Sequence, residues 1–201
     1  MIIGLSHVIY SSSNFKNKIS KLKSEGYKLK FFKKRIKNNK EKFFLMSDKN
    51  LYHDIYYFVK KNNYSIELIN YTNAPKNNCR ISLSKKYINL YIPHPNLEKK
   101  IFKKFFITKK NLISKNNAIS KSLNFLIKLK KKKINSPNYL NCEGINTIAF
   151  FCKDIKSIRD HFVKLGLQCT KIFSLKLLDM KYKIFIVKSK NEIFYEFLNI
   201  V

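Results

Sequence analysis

The sequence predicts an α+β fold in which a βαβββ unit is repeated and the copies pair into a curled-sheet barrel around a cavity. Residues 4–26 read GLSHVIYSSSNFKNKISKLKSEG and residues 144–166 read GINTIAFFCKDIKSIRDHFVKLG, so one offset of 140 positions aligns the two segments. Each copy is followed by a strand-like segment with a single glutamate, at 66–70 and at 195–199. A duplicated unit of this size cannot bury its sheet face alone and usually pairs with its copy.

The first unit, residues 1–72, begins with a strand-like apolar segment at 5–10. A helix with apolar residues at helical spacing follows it, and Gly26 ends this helix as glycine commonly does. Alternating apolar residues in the rest of the unit predict four further strand segments. These segments lie near 27–31, 43–46, 54–60 and 64–71.

The last unit, residues 144–201, repeats this order. Residues 145–152 form an apolar strand, Asp154 can cap the helix that follows, and Gly166 ends that helix. The remaining segments predict three strands. These strands lie near 168–178, 181–188 and 192–200.

The middle of the chain, residues 73–143, is predicted to be a degenerate third copy with a linker. The segment 87–92 is strand-like, and the prolines after it end the strand. An offset of 82 aligns Leu97 with Phe15, which predicts a further amphipathic helix. The lysine run at 130–133 is typical of a solvated connection into the last unit.

The net charge of +30 would ordinarily indicate a nucleic-acid or membrane partner. Only three of the 42 basic residues are arginine, however, and the lysines are spread along the whole chain. Lysine and asparagine have A/T-rich codons, so a genome under A/T pressure produces this bias on any protein surface. Dedicated nucleic-acid readers favour arginine because its planar fork bonds phosphates and bases bidentately. The composition therefore predicts no specific nucleic-acid partner.

The cysteines form no CxxC pair, which favours reduced, buried thiols in a cytoplasmic protein. They are Cys79, Cys142, Cys152 and Cys169. Residues 1–10 lack the pattern of a signal peptide, and no window approaches the ~20 apolar residues of a membrane span. The sequence therefore predicts a cytoplasmic location and no membrane partner.

With His7 on the first strand and Glu67 on the last strand of a βαβββ unit, the chain resembles the vicinal oxygen chelate superfamily. That superfamily includes glyoxalase I, methylmalonyl-CoA epimerase, extradiol dioxygenases and bleomycin-resistance proteins. The resemblance implies that two units enclose a cavity in which residues of the first and fourth strands hold a divalent metal. It also implies a small-molecule substrate that chelates the metal through adjacent oxygens.

The resemblance places His7, Glu67 and Glu196 at the superfamily's metal-ligand positions, and it makes the two glutamates candidate catalytic residues. Imidazole and carboxylate ligands suit Fe, Zn, Ni or Mn. Thr147 stands where a second histidine is expected, so the ligand set is incomplete. His53, near the start of a predicted strand of the first unit, is an alternative ligand.

Strand alternation supports an inward position for the two glutamates. Glu67 lies between Ile66 and Leu68 and faces the opposite side of the strand, so it points into the barrel if its neighbours face the helices. Glu196 has the same setting in the other unit. A buried carboxylate is costly unless it is paired or metal-bound. The alternative is an outward carboxylate that pairs with one of the many lysines.

These observations leave three functions open. The first is a metal-dependent lyase, isomerase or dioxygenase that acts on a small oxygen-chelating substrate. The second is a non-catalytic protein of the resistance type, which binds a small molecule without metal. The third is a basic, RNA-associated protein. Whether the chain is a monomer or a homodimer is open at this stage.

Overall fold

The computed structural model describes most of the chain. The described residues are 2–49, 51–72, 74–76, 80–84, 87–105, 117–119, 126–134, 136–177 and 179–201. Of the four cysteines, Cys142, Cys152 and Cys169 are free thiols, and Cys79 lies outside the described residues. Within the described part of the chain, every helix is too short or too polar to cross a bilayer.

The first unit has the predicted βαβββ order with one added 3-10 helix. Its elements are β1 (Ile2–Ser12), α1 (Phe15–Ser24), β2 (Lys28–Lys37), the 3-10 helix (Lys40–Leu45), β3 (Tyr52–Val59) and β4 (Ile66–Asn70). The prediction of a strand at 43–46 is wrong. The side chain of Asn39 accepts a hydrogen bond from the backbone N–H of Glu41, and this cap starts a helical turn in place of a strand.

The middle of the chain forms a separate four-stranded sheet. Its elements are β5 (Ile81–Leu83), β6 (Tyr87–Ile92), α2 (Pro95–Phe105), β7 (Asn117–Ile119) and β8 (Leu126–Lys131). Glu98 of α2 ties this part to the last unit, because its buried carboxylate accepts hydrogen bonds from Asn191 and Tyr195. The domain boundaries at residues 72 and 143 stay a prediction.

The last unit repeats the order of the first, except that two short strands replace the single strand predicted near 168–178. Its elements are β9 (Gly144–Cys152), α3 (Ile155–Lys164), β10 (Gln168–Cys169), β11 (Phe173–Leu177), β12 (Met180–Lys188) and β13 (Phe194–Ile200). Asp154 caps α3 as predicted, since its carboxylate accepts a hydrogen bond from the backbone N–H of Ser157 at 3.0 Å. Gly166 follows α3 with a φ of 69°, a conformation that suits glycine.

The two units share one nine-stranded sheet, in which β1 and β9 pair antiparallel at the centre. The strands follow the order β10-β12-β13-β9-β1-β4-β3-β2, and β11 pairs with β12. Within each unit the first and last strands pair in parallel, β1 with β4 and β9 with β13. The predicted α+β class and the pairing of the two units are confirmed, and the curled sheet stays open rather than closing into a full barrel.

The main hydrophobic core lies between the helices and one face of this sheet. Leu22 of α1 and Phe162 of α3 are almost completely buried there, together with Leu68 of β4 and Phe197 of β13. Because side chains alternate along a strand, the residues next to Leu68 and Phe197 face the other side of the sheet. The fold thereby leaves the concave face for a cavity.

Candidate active site

A cavity of about 340 Å³ lies on the concave face and is lined by both units. Most of its walls are apolar, with contributions from β2, β3, β9, β11, β12 and β13. The predicted residues His7, Glu67 and Glu196 all line this cavity. The structure therefore brings the whole predicted ligand set to one place.

The three side chains approach each other closely in a dry environment. The Nε2 atom of His7 lies 3.5 Å from Oε2 of Glu67 and 4.0 Å from Oε1 of Glu196. The three residues are only 4%, 8% and 5% exposed, respectively. Nevertheless, Nε2 of His7 is buried without a hydrogen-bond partner. A buried polar nitrogen without a hydrogen-bond partner or a metal ion lowers the stability of the folded protein, because it has lost its contact with water.

Strand register explains how these residues meet. His7 of β1 and Glu196 of β13 both pair with Ala149, which lies on β9 between them. Glu67 of β4 pairs with Ile9, two residues from His7 on β1. Ala149 is completely buried, and its methyl group leaves room for the longer side chains on either side. Sequence reasoning missed Ala149 because its importance depends on the register between strands.

Burial sets the protonation of the two carboxyl groups. Desolvation and the nearby charge of Glu196 raise the pKa of Glu67 to about 8, although Lys42 acts in the opposite direction. Desolvation also raises the pKa of Glu196, and Lys42 again opposes the shift. The pair therefore retains protons at a pH where exposed glutamates have lost them.

Burial has the opposite effect on the histidine. Desolvation lowers the pKa of His7 to about 3, so its imidazole is neutral at physiological pH. Its other ring nitrogen, Nδ1, lies 2.9 Å from Oγ of Ser6. If Nδ1 carries the proton and donates to this hydroxyl, the lone pair of Nε2 is directed at the two carboxyl groups.

Two of the donor separations in this cluster can be compared with those around a bound divalent cation. Among the described residues, no three His, Cys, Asp or Glu side chains form a metal-holding group as they stand. Ligand atoms ~2.0–2.2 Å from a metal are themselves ~3.0–3.5 Å apart. The separation of 3.5 Å lies at the upper end of this range, and that of 4.0 Å exceeds it by about half an ångström. Neutral imidazole and two carboxylates are also suitable ligand types.

Neither Thr147, which stands where a second histidine is expected, nor the alternative ligand His53 lines the cavity. Thr147 is buried, but its hydroxyl donates a hydrogen bond to Oδ1 of Asn146 at 2.9 Å, and it does not line the cavity. His53 lines a neighbouring pocket and not the cavity itself. Lys42 lines both, and sequence reasoning missed it.

No protein-family model and no curated protein matches the sequence. Among solved structures, the chain is similar to methylmalonyl-CoA epimerase from Mycobacterium tuberculosis, with 10% identity, coverage of 98% of this chain and 88% of that chain, and a TM-score of 0.49. It is similar to glyoxalase I from Zea mays, with 14% identity, coverage of 98% of this chain and 67% of that chain, and a TM-score of 0.38. It is also similar to the fosfomycin resistance protein FosX from Mesorhizobium loti, with 13% identity, coverage of 59% of this chain and 91% of that chain, and a TM-score of 0.41.

The topology itself carries the structural resemblance. Two βαβββ units join through their first strands, and their concave faces enclose one cavity. This is the paired βαβββ arrangement that the sequence resemblance to the vicinal oxygen chelate superfamily implies. The chain spans 63% of the length of a dioxygenase-like protein from Bacillus subtilis to which it is also similar. At these identities the similarity concerns the fold alone.

Proposed function

We propose that this protein is a metal-dependent enzyme of the vicinal oxygen chelate type, which acts on a small substrate with adjacent oxygen atoms. One observation carries the proposal. An imidazole nitrogen without a hydrogen-bond partner faces two buried carboxyl groups, one from each unit. Such a cluster is electrostatically unfavourable when its carboxylates are charged, and a divalent cation would stabilise it.

The residues have distinct roles in this proposal. His7, Glu67 and Glu196 would hold the cation. When bound, a divalent metal supplies Lewis acidity that polarises a carbonyl or enolate oxygen of the substrate. Three protein ligands leave open positions for two substrate oxygens.

Glu67 is suited to proton transfer. Burial and Glu196 raise its pKa to about 8, which lies within about one unit of neutral pH. A carboxyl group in this range can both accept and return a proton at neutral pH. We therefore assign Glu67 the role of acid–base residue. A bound cation would lower its pKa, so one carboxyl oxygen would hold the cation and the other would accept and return the proton.

The apolar walls limit the substrate and exclude water. Phe31 stacks on Tyr57 at 5.3 Å between ring centroids, and the Tyr57 ring meets His7 edge-on at 5.5 Å. Leu198 and Ile184 line another part of the cavity. A volume of about 340 Å³ accommodates a small organic molecule rather than a polymer.

Metal analysis of protein purified without chelators tests this proposal. We expect about one equivalent of bound divalent metal, or uptake of one equivalent of Mn²⁺ in a calorimetric titration. His7→Ala and Glu196→Gln should each weaken Mn²⁺ binding by ~10-fold or more, because each removes a ligand. Glu25→Gln, on the surface, and His53→Ala, a buried histidine outside the cavity, are matched controls. Wild-type protein that neither holds nor takes up metal would contradict the proposal.

A second candidate function is metal-free binding of a small molecule. The hydroxyl of Thr147, at the position where the superfamily resemblance implies a second histidine, is engaged by Asn146. This leaves three ligands in place of four. Purified protein that binds no metal but still binds a small molecule in the cavity would favour this second function, a non-catalytic binder of the resistance type.

A further inference from the structure

A second pocket of about 370 Å³ adjoins the cavity along the same face of the sheet. His53 lines this pocket, while Ile55, Tyr57 and Val59 line the cavity, and the four residues alternate along β3 on one face. Lys42 and Leu175 line both spaces. The two pockets therefore lie end to end, with Lys42 at their junction.

Among the lysines whose burial the structure describes, Lys42 is unusual because it is buried. It lies on the 3-10 helix and is only 9% exposed. Among the described residues, none of the ion pairs within 4.0 Å includes Lys42. Its Nζ lies 5.3 Å from the centroid of the Phe173 ring, a contact that orients the ammonium group but does not neutralise it. A buried cation in this position is costly unless an anion approaches it.

His53 provides a second polar group in the same pocket. It is 5% exposed, and its Nδ1 atom is buried without a hydrogen-bond partner. The ring lies 5.7 Å from that of Tyr71, which helps to fix its orientation. A neutral imidazole with an unused nitrogen can donate one hydrogen bond to an incoming oxygen.

We propose that Lys42 and His53 form a carboxylate-binding subsite, so that the substrate is an organic acid whose acid group lies in the second pocket. This inference deepens the proposed function and rests on it for the position of the reacting end. Lys42 would supply the positive charge and His53 a hydrogen bond. The chain between the acid group and the reacting oxygens would cross the apolar junction at Leu175.

Charge balance favours an anionic ligand over a purely structural role for Lys42. Lys42 lies near enough to Glu67 and Glu196 for its positive charge to act on the pKa of both carboxyl groups, in the downward direction. Neither carboxylate lies within 4.0 Å of the Lys42 ammonium group, however. The positive charge of Lys42 is therefore available to an anion in the second pocket whether or not a cation occupies the cavity.

Binding of octanoate and octan-1-ol to metal-free protein tests the subsite. The two probes share an apolar chain, and only octanoate carries a charge at neutral pH. We expect Lys42→Met to weaken octanoate binding ~10-fold or more, as loss of a charge-assisted hydrogen bond predicts, and to change octan-1-ol binding less than ~2-fold. Lys42→Arg should retain most of the octanoate affinity. Lys49→Met, at an exposed lysine, is the matched control.

A second measurement locates the bound acid. Octanoate should shift the imidazole NMR signals of His53 in wild-type protein, and octan-1-ol should not. His53→Ala should weaken octanoate binding even if Lys42→Met fails to fold. The subsite would be overturned if wild type and Lys42→Met bound octanoate equally well. It would also be overturned if Lys42→Met lost affinity for octanoate and octan-1-ol to the same extent. Because the protein is metal-free, failure of the metal proposal would not produce either result.

Discussion

The Nε2 atom of His7 and the Oε2 atom of Glu67 lie 3.5 Å apart without forming a hydrogen bond. The two residues are 60 positions apart in the sequence, at opposite ends of one βαβββ unit, and the parallel pairing of β1 with β4 brings them together. Parallel strands need a long crossover, and α1, β2 and β3 supply it here. The site is therefore a direct product of the unit's topology.

The first prediction concerns the stability of metal-free protein above neutral pH. The pKa of Glu67 is about 8 in the folded state against an ordinary value of 4.5, so the folded protein holds the extra proton between these values. Stability from this group is complete below pH 4.5 and is lost as pH rises towards 8. His7 and His53 act oppositely, but only between about pH 3 and 6.5. We therefore expect a loss of about 1–2 kcal/mol between about pH 6.5 and 8.

Urea unfolding in the presence of a chelator measures this loss. In Glu67→Gln the free energy of unfolding should change much less with pH over the same interval, because glutamine does not titrate. Glu25→Gln, which removes an exposed carboxylate, should leave it unchanged. An equally steep decline in Glu67→Gln would show that another group is responsible.

The second prediction is that metal stabilises the protein more at alkaline than at acidic pH. A metal must displace the protons that the buried carboxyl groups of Glu67 and Glu196 retain. The rise in melting temperature on addition of Mn²⁺ should therefore be several degrees at about pH 8 and much smaller at about pH 5.5. Calorimetry of wild type and His7→Ala checks this, and a similar rise in both proteins would place the bound ion elsewhere.

The third prediction concerns Ala149. Its small side chain lies between His7 and Glu196 in the strand register, and it packs with Ile184 and Leu198. Ala149→Leu should overfill this space, with a cost of about 1–3 kcal/mol and loss of Mn²⁺ binding. Ala149→Ser, which adds only one atom, should keep the fold. Urea unfolding and metal titration of both variants test this, and unchanged binding in Ala149→Leu would refute the assigned position.

The fourth prediction concerns the charge of +30. Of the three arginines, Arg80 is buried, where it donates to the backbone oxygens of Asn191 and Ser136, and Arg159 donates to the backbone oxygen of Thr170. We therefore expect only weak, sequence-independent binding to duplex DNA or RNA, nearly absent at ~200 mM salt. Fluorescence anisotropy over a salt series measures it. Tight, sequence-selective binding at that salt concentration would support a nucleic-acid function.

The repeat made much of the fold predictable. Matching segments at an offset of 140 identified both βαβββ units, and β1 and β9 are strands as expected. The inward position of Glu67 and Glu196 followed from alternation, because their apolar neighbours pack against the helices. Local pattern determines these features, so one sequence is enough to find them.

Lys42 and Ala149 depend on tertiary structure and could not be predicted in the same way. Nothing in the sequence separates Lys42 from the other lysines, since only the 3-10 helix turns it towards the cavity. Ala149 becomes significant only through its register with β1, which shifts at irregularities near His7. Such shifts depend on long-range pairing and leave no local pattern.

The most direct test of the account is the position of a bound metal. We expect anomalous diffraction from crystals grown with Mn²⁺ to show one strong peak in the cavity, ~2.0–2.3 Å from Nε2 of His7 and from carboxylate oxygens of Glu67 and Glu196. The peak should disappear in His7→Ala crystals grown under the same conditions. A cavity without anomalous density, or a peak that these three side chains do not contact, would contradict the proposed metal centre.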